Sequence, residues 1–265
     1  MTTYIKIFAG LCNRLFQYSY GKYLLTQGKS VKFIRADDGN TDILDVMELG
    51  EDEKLFYTNS KNTKLFVNLL KARVKYITRN YKIGFYQDPL YSENINFKFK
   101  NISLYEKDSI TTKLSESNSV SLHIRGGDYL DPSKAGSFIG ICTKDYYIKA
   151  IKTTQKKIKN PVFFIFTNDR PYAESIINDC LQDKSSSLTE KNFVFADDQK
   201  DKNYDDGFDL FLMSKCKANI IANSTFSWWG AVLNKNAHTV ICPSHWTNAE
   251  PYEHDNLILS DWIKI

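Results

Sequence analysis

His123-Ile124-Arg125-Gly126-Gly127-Asp128-Tyr129 brings an imidazole, a guanidinium and a carboxylate into one short stretch, with two glycines between the cation and the acid. A guanidinium grips an oxyanion in a two-pronged way, and a carboxylate nearby can take a proton from a hydroxyl. The same residues also describe a tight turn with a surface ion pair, since Gly-Gly beside Arg and Asp is ordinary loop chemistry. Two other stretches have comparable content, Thr167-Asn168-Asp169-Arg170 and Asn223-Ser224-Thr225-Phe226-Ser227. Hydroxyls and backbone N–H groups at the start of a helix make an anion site suited to a diphosphate, although Ser and Thr are also the ordinary helix caps.

The elements needed to position these stretches are legible around them. Val120 to Ile124 reads as a buried strand that two glycines terminate. Tyr4 to Phe8 reads as a strand, followed by the small loop Ala9 to Asn13 and a helix from Arg14 to about Gln27. On that helix Leu15, Phe16, Tyr20, Tyr23 and Leu24 share a face, and Gly28 stops it. Val31 to Ile34 then completes a βαβ opening. Asp37 to Asn40 is a turn, and Leu65 to Ile77 has helical periodicity with Lys71, Arg73 and Lys75 off its apolar face.

In the second half the alternation is regular. Thr143 caps a helix from Lys144 to Lys157, and strand Val162 to Phe166 runs into a helix from Tyr172 to Leu181. Strand Phe193 to Ala196 precedes a helix from Asp206 to Cys216. Strand Asn219 to Ala222 precedes a helix from Phe226 to Asn234, and Val240 to Cys242 is the last strand. Such alternation predicts an α/β fold with mostly parallel sheets, in which ligands sit beyond the carboxyl ends of the strands. The serine-rich stretch Ser115 to Ser119 is the cue for a domain boundary, dividing the chain into 1–117 and 118–265.

Composition narrows the function classes. Apolar residues make up 42% of the 265 positions and charged residues 25%, as in a globular protein. The net charge of +4 is spread out, which excludes a nucleic-acid-binding stripe but suits an anionic small molecule or the surface of an anionic membrane. Cys12, Cys142, Cys180, Cys216 and Cys242 form no CxxC pair, which points to reduced, buried thiols and away from zinc. Lys6 and Arg14 interrupt the region where a signal peptide needs an apolar run, and no run is long enough for a membrane span. The expectation is a cytoplasmic protein. No G-x-G-x-x-G follows a strand, which argues against a nicotinamide-dependent oxidoreductase.

Several residues carry two readings each. Asp169 or Asp198 can accept the N–H donors of a guanine edge, and either can be a turn residue. His123 points at a ligand or is a satisfied core histidine. Trp228-Trp229 reads as packing against the sheet ahead of stacking on a sugar. Gly10 permits close approach of a ligand to the backbone, and Asn13 offers both a donor and an acceptor.

Three blocks together resemble the bacterial α-1,2-fucosyltransferases of glycosyltransferase family 11. They are Ala9 to Tyr18, Ser121 to Tyr129, and Leu212 to Cys216 running into Ile220-Ile221-Ala222-Asn223-Ser224-Thr225-Phe226-Ser227-Trp228-Trp229-Gly230-Ala231. The resemblance implies a GT-B-type chain with two facing Rossmann-like halves, residues 1–117 on the acceptor side and 118–265 binding the GDP-sugar. It implies transfer of L-fucose from GDP-fucose to the 2-hydroxyl of a terminal galactoside, with inversion, no metal and no cofactor, in the synthesis of a surface polysaccharide or oligosaccharide. Location at the cytoplasmic face of the inner membrane, with peripheral association, fits that role.

By this resemblance Arg125 binds the β-phosphate, His123 and Asp169 the nucleoside, and Thr225 to Ser227 the diphosphate, with Gly10, Asn13, Asn223 and Ser224 lining the donor site. Asp128 and Asp131 stand as alternative general bases. The chain departs from the family pattern at Gly126, where a second arginine is usual, and at Cys12, where a glycine is usual. Those departures keep open another GDP-sugar or linkage, or a sugar-nucleotide or glycan-binding homologue without catalysis.

Overall fold

The computed structural model describes residues 2–57, 80–93, 95–127, 140–183, 187–202, 204–247 and 254–265. The periodic stretch Leu65 to Ile77 and the two acids Asp128 and Asp131 lie outside the described residues. The chain divides into two compact units, Met1–Lys100 and Asn101–Ile265.

In the first unit four parallel strands, β1 (Thr2–Ile7), β2 (Ser30–Arg35), β3 (Phe56–Tyr57) and β4 (Tyr81–Lys82), lie in the order β3-β2-β1-β4. β1 alternates half-buried and buried residues, with Ile5 and Ile7 fully buried. The order reverses at β1, so the loop after it opens at the point where ligands enter open α/β sheets. The helix Leu11–Thr26 follows that loop, and Gly28 ends it with the left-handed φ of 74° that glycine adopts without strain. This helix is buried on more sides than a single apolar face requires. Arg14, Gln17 and Ser19 are buried with Leu15 and Phe16, whereas Tyr20 and Tyr23 are only half-buried and contact Tyr86 and Tyr91.

The second unit holds a six-stranded sheet in the order β10-β9-β8-β5-β6-β7, all parallel. Its strands are β5 (Asn118–Ile124), β6 (Pro161–Thr167), β7 (Phe193–Phe195), β8 (Ala218–Ile220), β9 (Thr239–Cys242) and β10 (Ile263–Lys264). β10 follows the strand expected to be last. Every residue of β5 after Asn118 is buried, because both faces of the sheet are covered. The helices Lys144–Lys157, Arg170–Gln182, Asp206–Lys215 and Thr225–Val232 connect the strands, close to their expected limits. Thr143 caps the first of them, its hydroxyl accepting from Tyr146 N–H at 3.3 Å. The two tryptophans of the last pack in the core, and Trp228 Nε1 donates to the Leu257 carbonyl at 2.7 Å.

The second unit begins at Asn101, earlier than the boundary expected between 117 and 118. The reason is a helix, Ser109–Glu116, that buries Ile110 and Leu114. Tyr105, just before it, packs on Phe208 and Phe211 at ring distances of 5.0 and 5.4 Å. A polar, serine-rich surface face hides this apolar anchor from a composition-based reading.

The strand order reverses between β5 and β8, with β6 on the far side of β5. The loops leaving β6, β5 and β8 are therefore neighbours at one sheet edge, and these are the three stretches singled out by residue type. Among the described residues no helix is long and apolar enough to cross a membrane.

Gly21 places its helix against β2, where an added Cβ would lie 2.3 Å from the ring of the fully buried Phe33. Gly21→Ala is expected to destabilise the protein by about 1–3 kcal/mol through overpacking, despite the better helix propensity of alanine. Chemical denaturation of the two proteins measures the difference.

Candidate functional site

The site in the second unit is built from strand ends. β5 delivers His123 and then Arg125, Gly126 and Gly127. β6 delivers Thr167 to Arg170, and β8 delivers Asn223 to Ser227. The half-buried Arg125 lies immediately beyond the strand. Its backbone N–H donates to the hydroxyl of the fully buried Tyr147 at 3.3 Å. Gly126 N–H donates to Asn168 Oδ1 at 3.0 Å, and Gly127 N–H donates to Asp169 Oδ2 at 2.9 Å. These three N–H groups are bonded within the protein, so the cation of Arg125 is what the stretch 125–127 offers an anion.

Asp169 has a second bond of the same kind. Its Oδ1 accepts from Tyr172 N–H at 3.1 Å and so caps the helix Arg170–Gln182. Asp198 is engaged by Arg170, whose guanidinium donates through both Nη atoms at 2.7 and 2.8 Å and lies 4.1 Å from the centre of the Phe195 ring. Both acids considered for a guanine edge thus carry hydrogen bonds inside the unit.

His123 is 5% exposed, and its Nδ1 has no hydrogen-bond partner among the described residues. Burial first, and then the charge of Arg125, push its imidazole down to about 3, so it is neutral at physiological pH. Its ring centre lies 5.9 Å from that of Phe226. The structure thus joins His123 to the β8 turn through an aromatic contact.

In that turn Ser224 caps the helix Thr225–Val232 by accepting from Phe226 N–H at 3.3 Å. Ser227 Oγ donates toward the carbonyls of Ala222 and Ser224, both at 3.3 Å, and accepts from Ala222 N–H at 3.2 Å. Ser227 therefore closes the turn from inside, 1% exposed, while Thr225 and Phe226 are half-buried at the helix start. Asn223 reaches across to neighbouring segments, donating to the carbonyls of Gly140 and Trp246 at 3.3 and 3.2 Å. A cavity of about 300 Å³ opens beside it, lined by Thr143, Tyr146, Ser244 and His245 among others. His245 Nδ1 pairs with Asp255 at 2.8 Å, a dyad that residues ten apart in sequence gave no reason to expect. A larger cavity of about 510 Å³ lies at the opposite edge of the sheet, near the starts of β5 and β8, where Ser119 and Lys217 line it, and does not reach these loops.

In the first unit Gly10 precedes the helix Leu11–Thr26, and none of the described residues lies within 4 Å of the place a Cβ would occupy. Asn13 Oδ1 accepts from Gln87 Nε2 at 2.9 Å. The preceding residue, Ala9, has a left-handed φ of 64°. Two residues missed at the sequence level hold it there. Asp38 accepts from Ala9 N–H at 2.8 Å, and Arg14, 1% exposed, donates from Nε to the Ala9 carbonyl at 2.7 Å and pairs with Asp38. Burial pushes the Asp38 carboxyl up, but hydrogen bonds from Ala9 and Asn40 and the Arg14 charge outweigh it and hold it below the usual range. An arginine among the apolar residues of a helix was the signal for this pair.

All five cysteines are buried. Among the described residues no group of three or more His, Cys, Asp or Glu side chains could hold a metal ion.

The family model described as Glycosyl transferase family 11 matches residues 68–265. The chain belongs to glycosyltransferase family 11. The matched span contains His123, Arg125, Asp169 and the Asn223 to Ser227 turn, while Gly10 and Asn13 precede it. The chain is similar to an alpha-1,2-colitosyltransferase of Escherichia coli, 33% identical over 190 residues, which are 69% of this chain and 61% of that protein. It is also similar to the O-antigen biosynthesis glycosyltransferase WbnK of Escherichia coli, 35% identical over 149 residues, 56% of this chain and 45% of that one. The chain thus matches less than two thirds of the length of either relative.

The state of His123 has a consequence for stability. Unfolded, the imidazole takes a proton near 6.5, but folded it resists until about 3. Its contribution is therefore complete above pH 6.5 and is lost as pH falls from there toward about 3. Asp209, raised to about 6 mainly by burial, acts oppositely, and its contribution is lost as pH rises from 3.8 to about 6. Comparison with His123→Leu separates the two. Between pH 6.5 and about pH 4 the wild type should lose stability relative to the variant by up to about 1.4 kcal/mol per pH unit. Parallel urea-midpoint curves would show that the folded imidazole is not held neutral.

Proposed function

We propose that the chain is an inverting transferase that moves L-fucose from GDP-fucose to the 2-hydroxyl of a terminal galactoside, as a step in surface-glycan synthesis. The observation that carries this reading is the pairing of Arg125 at the end of β5 with the Ser224-capped helix start at the end of β8, across the reversal of strand order. A guanidinium and a positive helix end on neighbouring strands suit a diphosphate better than either does alone. Similarity to an O-antigen glycosyltransferase and to an alpha-1,2-colitosyltransferase supports sugar transfer, and the second of these supports an α-1,2 linkage. Colitose in place of fucose is the second reading, favoured by the same relative.

In this mechanism the acceptor hydroxyl oxygen forms a bond to the anomeric carbon as the bond from that carbon to the β-phosphate oxygen breaks. GDP departs with the electron pair, and the hydroxyl proton passes to a base or to water. Arg125 and the helix start stabilise the charge that collects on the leaving diphosphate, with no metal assigned a part. Neutral, buried His123 adds no charge of its own and lends a rigid wall beside Arg125. The reaction would take place at the cytoplasmic face of the membrane.

A thermal-shift screen tests the donor class, with stabilisation expected from GDP and GDP-fucose but not from UDP-sugars. A preference for UDP would overturn the reading, and a larger shift with GDP-colitose would select the second one. Arg125→Ala should leave the melting temperature close to that of the wild type and lower transfer by about 10² to 10³-fold. Release of GDP from the donor by the wild type separates an enzyme from a glycan-binding homologue.

A further inference from the structure

Two loops of the second unit meet more closely than side chains normally allow. A Cβ built on the buried Gly126 would lie 2.6 Å from Asp169 Cβ, 2.8 Å from its Oδ2 and 3.0 Å from its Cγ. One on Gly127, at a left-handed φ of 60°, would lie 2.7 Å from Asn168 Nδ2. Glycine at both positions is therefore a packing requirement of the β6 loop, and an arginine at 126 could not coexist with Asp169 where it stands.

The contact is also bonded on each side. Asn168 pairs with both backbone groups of Gly126, accepting from its N–H at 3.0 Å and donating toward its carbonyl at 3.4 Å. Asp169 divides its carboxylate between Gly127 N–H and Tyr172 N–H. Its own backbone is held by Thr167, whose hydroxyl accepts from Asp169 N–H at 3.0 Å. One end of this clamp is anchored in the helix Arg170–Gln182, and the other holds the chain two residues past Arg125.

We infer that Asp169 is a positioning residue, which aims Arg125 at an anionic diphosphate through the backbone of Gly126 and Gly127 rather than by touching a nucleobase. The inference rests on the reading of Arg125 as the diphosphate cation. It makes a prediction opposite to that of simple charge. Removing a carboxylate beside an anion site should tighten anion binding by Coulomb attraction alone, whereas releasing a misaligned arginine should weaken it.

Asp169→Ser isolates the effect, because serine is as good a helix cap as aspartate but too short to reach Gly127. Calorimetric titration of the full chain with inorganic pyrophosphate and with GDP is the test, using the wild type, Asp169→Ser, Arg125→Ala and the double variant. The serine variant should keep its melting temperature and bind both ligands about tenfold more weakly, the scale of one charge-assisted hydrogen bond. It should have no further effect once Arg125 is gone. Asp169→Asn keeps the shape but turns one oxygen into a donor facing an N–H, and should show the same pattern if the serine variant does not fold. Unchanged or tighter pyrophosphate binding, or a loss confined to GDP, would overturn the positioning role. Wild-type binding that does not depend on Arg125 would instead overturn the donor reading, and this inference with it.

Discussion

Three backbone N–H groups follow strand β5 with no ladder left to join, and the way they are satisfied organises the second unit's site. Amides shielded from water without partners are costly, which applies to half-buried Arg125 and buried Gly126 more than to exposed Gly127. The chain past Ile124 finds acceptors in Tyr147, Asn168 and Asp169 in succession. Those acceptors come from two other elements, so the loop's path is set by the packing of the helix Lys144–Lys157 and of the end of β6. Arg125 inherits its position from that path.

The first unit solves a similar problem with different residues. The loop after β1 passes through Ala9 with a positive φ, a conformation that an alanine adopts only under constraint. An ion pair between buried Arg14 and exposed Asp38 supplies it, with Arg14 reaching the Ala9 carbonyl and Asp38 its N–H. Removing Asp38 would leave the buried guanidinium of Arg14 without its nearest carboxylate, which costs more than losing a pair exposed on both sides. No described residue lies against Gly10, while the residue before it is held from both sides.

Much of the fold was legible because parallel α/β chains repeat a simple pattern. The run Val120 to Ile124, the Thr143 cap and the helix beginning at Asp206 each follow from local chemistry that tertiary packing did not override. The errors have physical causes. The late strand Ile263–Lys264, two residues long, is too short to carry a periodic signal. The boundary was placed at Ser115 to Ser119 on a serine-rich cue, because only Ile110 and Leu114 of the short helix before it are buried. Several of the loop residues singled out by type also have partners within the protein that their local sequence does not announce. Asp169 caps a helix, Asp198 holds Arg170, and Ser227 closes its own turn.

By itself the sequence determined the alternation of strands and helices, the three polar strand-end stretches and the family resemblance, since all of these are written in neighbouring residues. Only the tertiary structure decided which donors and acceptors at those strand ends are consumed within the protein. That depends on how closely β5, β6 and β8 are paired and on the missing Cβ at Gly126, where a distance of 2.6 Å to Asp169 admits no other residue without displacement. Such an approach between residues more than forty positions apart leaves no local mark beyond a glycine, and a glycine in a loop has many reasons to be there.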